Sequence, residues 1–184
     1  ENLKKKLLIS KGLNLQEVVE KQRKKLKIKN ANIFPMCNEE VETFITTRRK
    51  KIHFQEYLIK YKMKSKIEKV TFKNIKKSNP SKGILEKIKR SKFIIFCPSN
   101  PIISIGPILS VPGIRKAVKE SRAIKVAISP IVGDKAFKGP VLNFMKAKSL
   151  SASVLGVASF YKDLVDYLMI DNEDKKYENK IRSL

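Results

Sequence analysis

Two loops hold the residues whose types and spacing could bind and move a phosphoryl group. The first follows the apolar run FIIFC (93–97) and continues as PSNPIISIGPILSVP. It offers Ser99, Asn100 and Ser104 as hydrogen-bonding side chains, and Gly106 as a point where a ligand can come close to the backbone. The second, PIVGDKAFKGP (130–140), follows AIKVAIS; Ser129 stands at its mouth, Gly133 and Gly139 add backbone freedom, and Lys135 and Lys138 add point charges. Each loop lies between a strand-like run and a helix-like pattern. The free N–H groups and partial positive charge of a helix start suit an anion, so a nucleoside diphosphate is the natural guest. The bland alternative weighs equally on pattern alone: prolines and glycines also shape turns that bind nothing. Neither loop is a Walker A loop or a dinucleotide fingerprint.

Other chemistries find less support. His53, in KIHFQEY, is the only histidine, so a multi-histidine metal site cannot be built. It also lacks the serine or cysteine context of a nucleophile triad, and a packed, hydrogen-bonded side chain is the better expectation for it. Asp171 and Asp174 flank a strand end, where they could hold a magnesium ion or form a solvated turn; the turn is preferred. Cys37 and Cys97, far apart in sequence, read as two buried, reduced thiols.

The elements that must position these loops can be read in order. Residues 3–26 predict a helix broken near Gly12, with Asn14 capping its second part beside Glu17. Ala31 to Met36 is a short strand candidate. EVETFITT (40–47), the RRKK turn and the run from Ile52 predict a hairpin whose second arm passes into helix around FQEYLIKYK, and Ile67 to Phe72 is another strand. Asn79-Pro80-Ser81 signals a helix running to Ser91. FIIFC, with no polar face, predicts a fully buried strand. A helical turn or two over 104–110, a helix over 114–121, the buried strand 123–129, a short helix VLNFMKAK and a last long helix capped at Ser151 or Ser153 follow. YLMID (167–171) closes as a strand.

Helix and strand alternate from residue 79 to 171. That order predicts an α/β fold, a three-layer Rossmann-like and mostly parallel sheet with right-handed crossovers, in which 31–73 is an antiparallel hairpin elaboration. Residues 1–184 then form one domain, and the opening ENLKKKLLISKGL resembles the middle of a domain rather than its start. Loops at the carboxyl ends of parallel strands are where such sheets bind ligands.

Charge is the strongest compositional signal. The chain carries a net +24, with 27 basic against 9 acidic residues over 1–92 and 14 against 8 over 93–184. Such a field attracts polyanions. The lysines are dispersed, however, and neither an aromatic RNA-binding stripe nor a helix-turn-helix pattern accompanies them, so solvated lysine faces are favoured over a nucleic-acid site. No apolar run is long enough to cross a bilayer.

Three separated stretches together carry a resemblance. CPSNPIISIGPILSVPGIRKAV, VAISPIVGDKAFKGP and SVLGVASFYKDLVDYLMID, with NIFPMCNEEVETFITT and IHFQEYLIKYK upstream, resemble in register the 2-phospho-L-lactate transferase family of coenzyme F-420 biosynthesis. The likeness covers nearly the whole chain from about Leu7. It implies transfer of a phospholactyl group from lactyl-2-diphospho-5′-guanosine to the deazaflavin FO, giving F-420-0 and GMP. Magnesium as cofactor, a homodimer, a cytoplasmic setting, a methanogenic archaeal source and no membrane or nucleic-acid partner are also implied. Ser99, Asn100, Ser104, Gly106, Ser129, Gly133, Lys135 and Lys138 then become nucleotide-binding and phosphate-binding candidates, with Lys5 and His53 toward FO. Metal ligands and a catalytic residue are not assigned. Family members open with a glycine-rich strand-to-helix turn and an aspartate-bearing segment that this sequence does not show, so only the downstream part of the site is expected here. Two alternatives stay open: a non-catalytic nucleotide-binding regulator of the same fold, and a basic RNA-binding protein.

Overall fold

The structure is a computed structural model that describes residues 7–133, 135–136 and 141–184, with only the backbone of Lys135 and Ala136. After a helical turn at 7–10, Gly12 turns the chain in the left-handed region (φ +87°), which an L side chain enters at a cost. Helix α1 (Leu15–Lys25) then starts as its sequence dictates. Asn14 accepts from the Glu17 N–H at 2.9 Å while the Glu17 carboxylate accepts from the Asn14 N–H at 2.8 Å.

Strands β1 (Glu42–Thr46) and β2 (Lys51–His53) form the expected hairpin. His53 passes the chain into α2 (Phe54–Ile59), and β3 (Lys69–Lys73) pairs with the other side of β1, giving an antiparallel sheet in the order β2-β1-β3. Tyr57, fully buried, donates to the carbonyls of Met63 (3.1 Å) and Ser65 (2.7 Å) and so fixes the turn before β3.

Residues 31–36 form no strand, contrary to their propensity. This segment has no ladder partner: the Met36 carbonyl accepts from the Ser81 N–H, and Cys37 makes a single bridge to Pro80. The same contacts move the next helix. Asn79 donates from both backbone and side chain to Glu39 Oε1 (3.2 Å each), so 79–81 are spent on tying the chain back. Helix α3 (Ile84–Arg90) begins only after Gly83, at φ +85°.

Strand β4 (Phe93–Phe96) opens the parallel sheet. It is followed by a π-helical segment (Pro101–Ile105), α4 (Gly106–Ser110) and α5 (Ile114–Glu120). Strand β5 (Ile124–Ile128) lies parallel to β4, and the small hairpin of β6 (Ile131–Val132) and β7 (Lys135–Ala136) follows. Helices α6 (Val141–Lys146) and α7 (Val154–Tyr161) lead to β8 (Tyr167–Met169), parallel to β5. A 3-10 turn (Asn172–Tyr177) and α8 (Glu178–Arg182) end the chain. Helix α7 is shorter than its apolar pattern suggests, and Leu164 and Leu168 lie beyond its end.

The sheet order β4-β5-β8 moves in one direction, so right-handed crossovers place the connecting helices on one face. Ile94, Phe96, Ala127 and Leu168 alternate toward that layer and join Val118, Val157 and Tyr161 in the core. The α/β architecture is the expected one, but the burial of FIIFC is not. Phe93 and Ile95 are each 61% exposed, because they point to the opposite face, which no described element covers. Cys97, just past the strand, is exposed as well; only Cys37 is a buried thiol, and burial raises its pKa.

Candidate functional site

The loop after β4 is built around one side chain. Asn100 stands at the start of the π-helical segment in an extended conformation, and its Oδ1 accepts from the N–H groups of Ile102 (2.9 Å) and Ile103 (3.3 Å). The Asn100 carbonyl also accepts from Ser104 and Ile105 N–H groups, at 3.0 and 3.1 Å. Pro101, with no N–H to lose, fits the first position. Widened π turns recur at functional sites because they re-aim neighbouring groups. Asn100 is only 8% exposed, and its Nδ2 has no hydrogen-bond partner among the described residues. A buried amide donor left open costs free energy comparable to a lost hydrogen bond, so this donor has an unspent capacity for a ligand.

Gly106, Ser129 and Gly133 are each accounted for by the fold. Gly106 lies in right-handed helical space, and a Cβ there would stand 3.1 Å from the Pro101 carbonyl oxygen and 3.5 Å from the Phe72 ring. Close packing of the antiparallel sheet against α4 thus accounts for this glycine. Ser129 is buried; its Oγ donates to the Ile131 carbonyl (2.9 Å) and accepts from the Ile131 N–H (3.1 Å), closing the turn after β5. Gly133 has φ +58°, and its N–H is taken by Asp174 Oδ2 at 3.1 Å. Because Phe96 pairs with Ala127, the two loops leave neighbouring strand ends.

The family model described as "2-phospho-L-lactate transferase CofD" matches residues 2–183. The chain belongs to the CofD family. It is 40% identical over 177 residues to the 2-phospho-L-lactate transferase of Methanocaldococcus jannaschii, a match covering 94% of this chain and 56% of the relative. The enzyme of that name from Methanothermobacter thermautotrophicus is 34% identical over 179 residues, covering 97% and 56%. Among solved structures, a Bacillus halodurans protein described as a member of the upf0052 family superposes with a TM-score of 0.61 at 17% identity, covering 92% of this chain and 54% of that one. At that identity the likeness concerns fold alone. The chain spans about half the length of the curated relatives it matches.

Within the CofD frame, the sequence-predicted residues divide. Ser99, Asn100, Ser104 and Gly106 all lie on the β4 loop and the helical turns after it, with Ser129 and Gly133 beyond the neighbouring strand. Lys5 and Lys138 lie outside the described residues, as does the Lys135 side chain. His53 sits in the other sheet. Its Nδ1 accepts from the Gln55 N–H (3.3 Å), capping α2, and its ring stands edge-on to Phe44 at 5.5 Å. This is the packed, hydrogen-bonded histidine expected.

Among the described residues no group of three or more His, Cys, Asp or Glu side chains could hold a metal ion. Asp171 caps the 3-10 turn by accepting from the Glu173 N–H at 3.0 Å, and Asp174, fully buried, holds Gly133. These carboxylates serve the turn. A cavity of about 600 Å³ opens elsewhere, against α7 and α8, lined by Tyr161, Lys162, Leu168, Lys175 and Arg182. None of the loop candidates borders it.

Sequence reasoning found the β4 loop but not what distinguishes Asn100 within it. An asparagine before a proline signals a turn, and nothing in the letters says that one end of its amide caps a helix while the other stays open.

Proposed function

We propose that this chain carries the guanine-nucleotide side of a site for 2-phospho-L-lactate transfer in F-420 biosynthesis. The observation that carries the reading is the open amide of Asn100 at the carboxyl end of β4, in a chain of the CofD family. The donor is lactyl-2-diphospho-5′-guanosine and the acceptor is FO. The terminal ribityl hydroxyl of FO attacks the phospholactyl phosphorus and loses its proton as the new P–O bond forms. The bond to the GMP oxygen breaks in line. Reactions of this kind need positioning and charge neutralisation more than a protein nucleophile.

Asn100 Nδ2 and the exposed side of the loop carrying Ser99 and Ser104 are the groups proposed to hold the diphosphate, with Lys135 and Lys138 supplying charge. Magnesium remains part of the proposal through the phosphate oxygens, with no described protein cage behind it. The proposal also keeps a cytoplasmic homodimer.

Thermal shift of the chain with GDP, compared with a UDP-sugar and an oligonucleotide, tests the reading. Stabilisation by GDP above that by the UDP-sugar is expected, and its absence would overturn the nucleotide assignment. Because the chain spans about half of its relatives, weak GDP binding without turnover is expected. Measurable F-420-0 formation by this polypeptide alone would refute that half-site prediction.

A further inference from the structure

Lysines that look dispersed in sequence are gathered by the antiparallel sheet. Residues directly opposed across strands, and alternate residues along one strand, share a face. Ile45, Ile52 and Val70 take the inner face and are buried in the core. Register then sets Phe44, His53 and Thr71 in one row across the outer face, with Lys51 and Lys69 on either side of Thr46 and Lys73 opposite Glu42. Lys51 and Lys69 are exposed, and neither meets a carboxylate among the described residues. Glu42, the carboxylate on this face, is held by Lys73 at 2.7 Å.

An aromatic ring sits among these cations. Phe44 is half-buried, with Lys51 Nζ 4.9 Å and Lys73 Nζ 5.8 Å from its ring centre and His53 edge-on at 5.5 Å. The Nδ1 of His53 is spent on capping α2, which leaves Nε2 as its donor; Glu42 Oε1 stands 3.9 Å from it, too far for a hydrogen bond. Thr71 Oγ1, in the same row, has no hydrogen-bond partner among the described residues. At the end of the sheet, the turn bearing Arg48 and Arg49 extends the charge. Lys50 there donates to the Tyr61 hydroxyl and lies over its ring at 4.4 Å. That contact draws in the loop 60–66, on which Lys62, Lys64 and Lys66 are exposed.

We propose that the outer face of β2-β1-β3, with its turn, binds single-stranded RNA. Unpaired cations spaced across a sheet face neutralise successive phosphates, and a ring set among them stacks a base that a duplex would keep to itself. His53 Nε2 and Thr71 Oγ1 offer a donor and an acceptor to a ribose 2′-hydroxyl, which DNA lacks. A lipid surface or an acidic protein would use the charge alone, because the half-buried ring does not stand out far enough to enter a bilayer. The field of the whole chain, net +24, brings a polyanion in, and this face holds it. The guanine-nucleotide candidates follow the strands of the other sheet, so the two proposals stand or fall separately.

Fluorescence anisotropy of a labelled, mixed-sequence RNA of about 12 nucleotides tests the proposal on the whole chain. Phe44→Leu should weaken binding about tenfold and leave its salt dependence unchanged, since stacking and not charge is lost. Lys51→Gln combined with Lys69→Gln should also weaken binding, and should flatten the slope of log K against log salt by about 1 to 2. Lys89→Gln combined with Lys92→Gln removes the same charge from the other half of the chain, where both side chains are exposed, and should leave binding within about twofold. DNA of the same sequence and duplex RNA should bind more weakly, and excess GDP should not displace the RNA. An equal loss in the Lys89 and Lys92 pair, no effect of Phe44→Leu, equally tight DNA or duplex, displacement by GDP, or tighter binding to phosphatidylserine vesicles than to RNA would overturn the proposal. If Phe44→Leu fails to fold, the contrast between the two glutamine pairs decides.

Discussion

Asn100 caps with one end of its amide and leaves the other end open, and substitutions can separate the two. Asn100→Ala removes the cap on Ile102 and Ile103 and should lower stability by about 1 kcal/mol. Asn100→Ser keeps an acceptor suited to the cap while deleting the amide donor. If Nδ2 binds the nucleotide, both variants lose the GDP-induced thermal shift; if Asn100 only caps, the serine variant keeps it. Gly156 poses a steric question instead. A Cβ there would lie 1.9 Å from the Ser151 carbonyl oxygen and 2.7 Å from the Met145 methyl. Gly156→Ala should therefore cost about 1–3 kcal/mol, read from the urea midpoint, with overpacking rather than lost hydrogen bonding as the cause. Neither residue advertises this in sequence. Gly156 sits mid-helix, where a pattern reading sees a weak helix former and nothing of the chain that crosses above it.

At the level of elements, the antiparallel sheet offers a test by pH. Lys73 on β3 donates to Glu42 on β1 at 2.7 Å, and the two are register partners. That hydrogen bond and charge hold the Glu42 carboxyl below the usual range and raise Lys73. A depressed carboxyl contributes stability that is present above its unfolded pKa and lost as the solution is acidified through its folded one. Glu42→Gln should therefore flatten the acid limb of the stability–pH curve, and an unchanged limb would exclude the pair as a contributor. Much of this layer was legible. The Asn14 cap, the β1–β2 hairpin, β3, and the alternation of helix and strand after residue 79 follow from local period and capping chemistry. The failures are all non-local. Residues 31–36 have strand propensity but no partner, and 79–81 carry a helix-start signal but are engaged by Glu39 and Met36. The run FIIFC reads the same whether its outward face is covered or bare, so Phe93 and Ile95 could not be told from core.

Taken whole, the molecule pairs a strong positive field with a specific strand-end loop, and salt should separate the two. Oligonucleotide binding driven by 41 dispersed basic side chains should fall steeply between about 50 and 200 mM salt. A GDP-induced shift anchored by a buried amide should survive that change, and equal loss of both would assign GDP binding to the field alone. The same long view applies to the two tyrosines locked in the core. The chain has no tryptophan and five tyrosines, of which Tyr57 and Tyr161 are fully buried. Burial raises both phenols, so the folded state favours their neutral form and that stability is lost as the pH rises above the ordinary tyrosine range. In absorbance terms the protein carries its own unfolding indicator. The phenols of Tyr57 and Tyr161 should ionise only as the core opens, one under the turn before β3 and one under the parallel sheet.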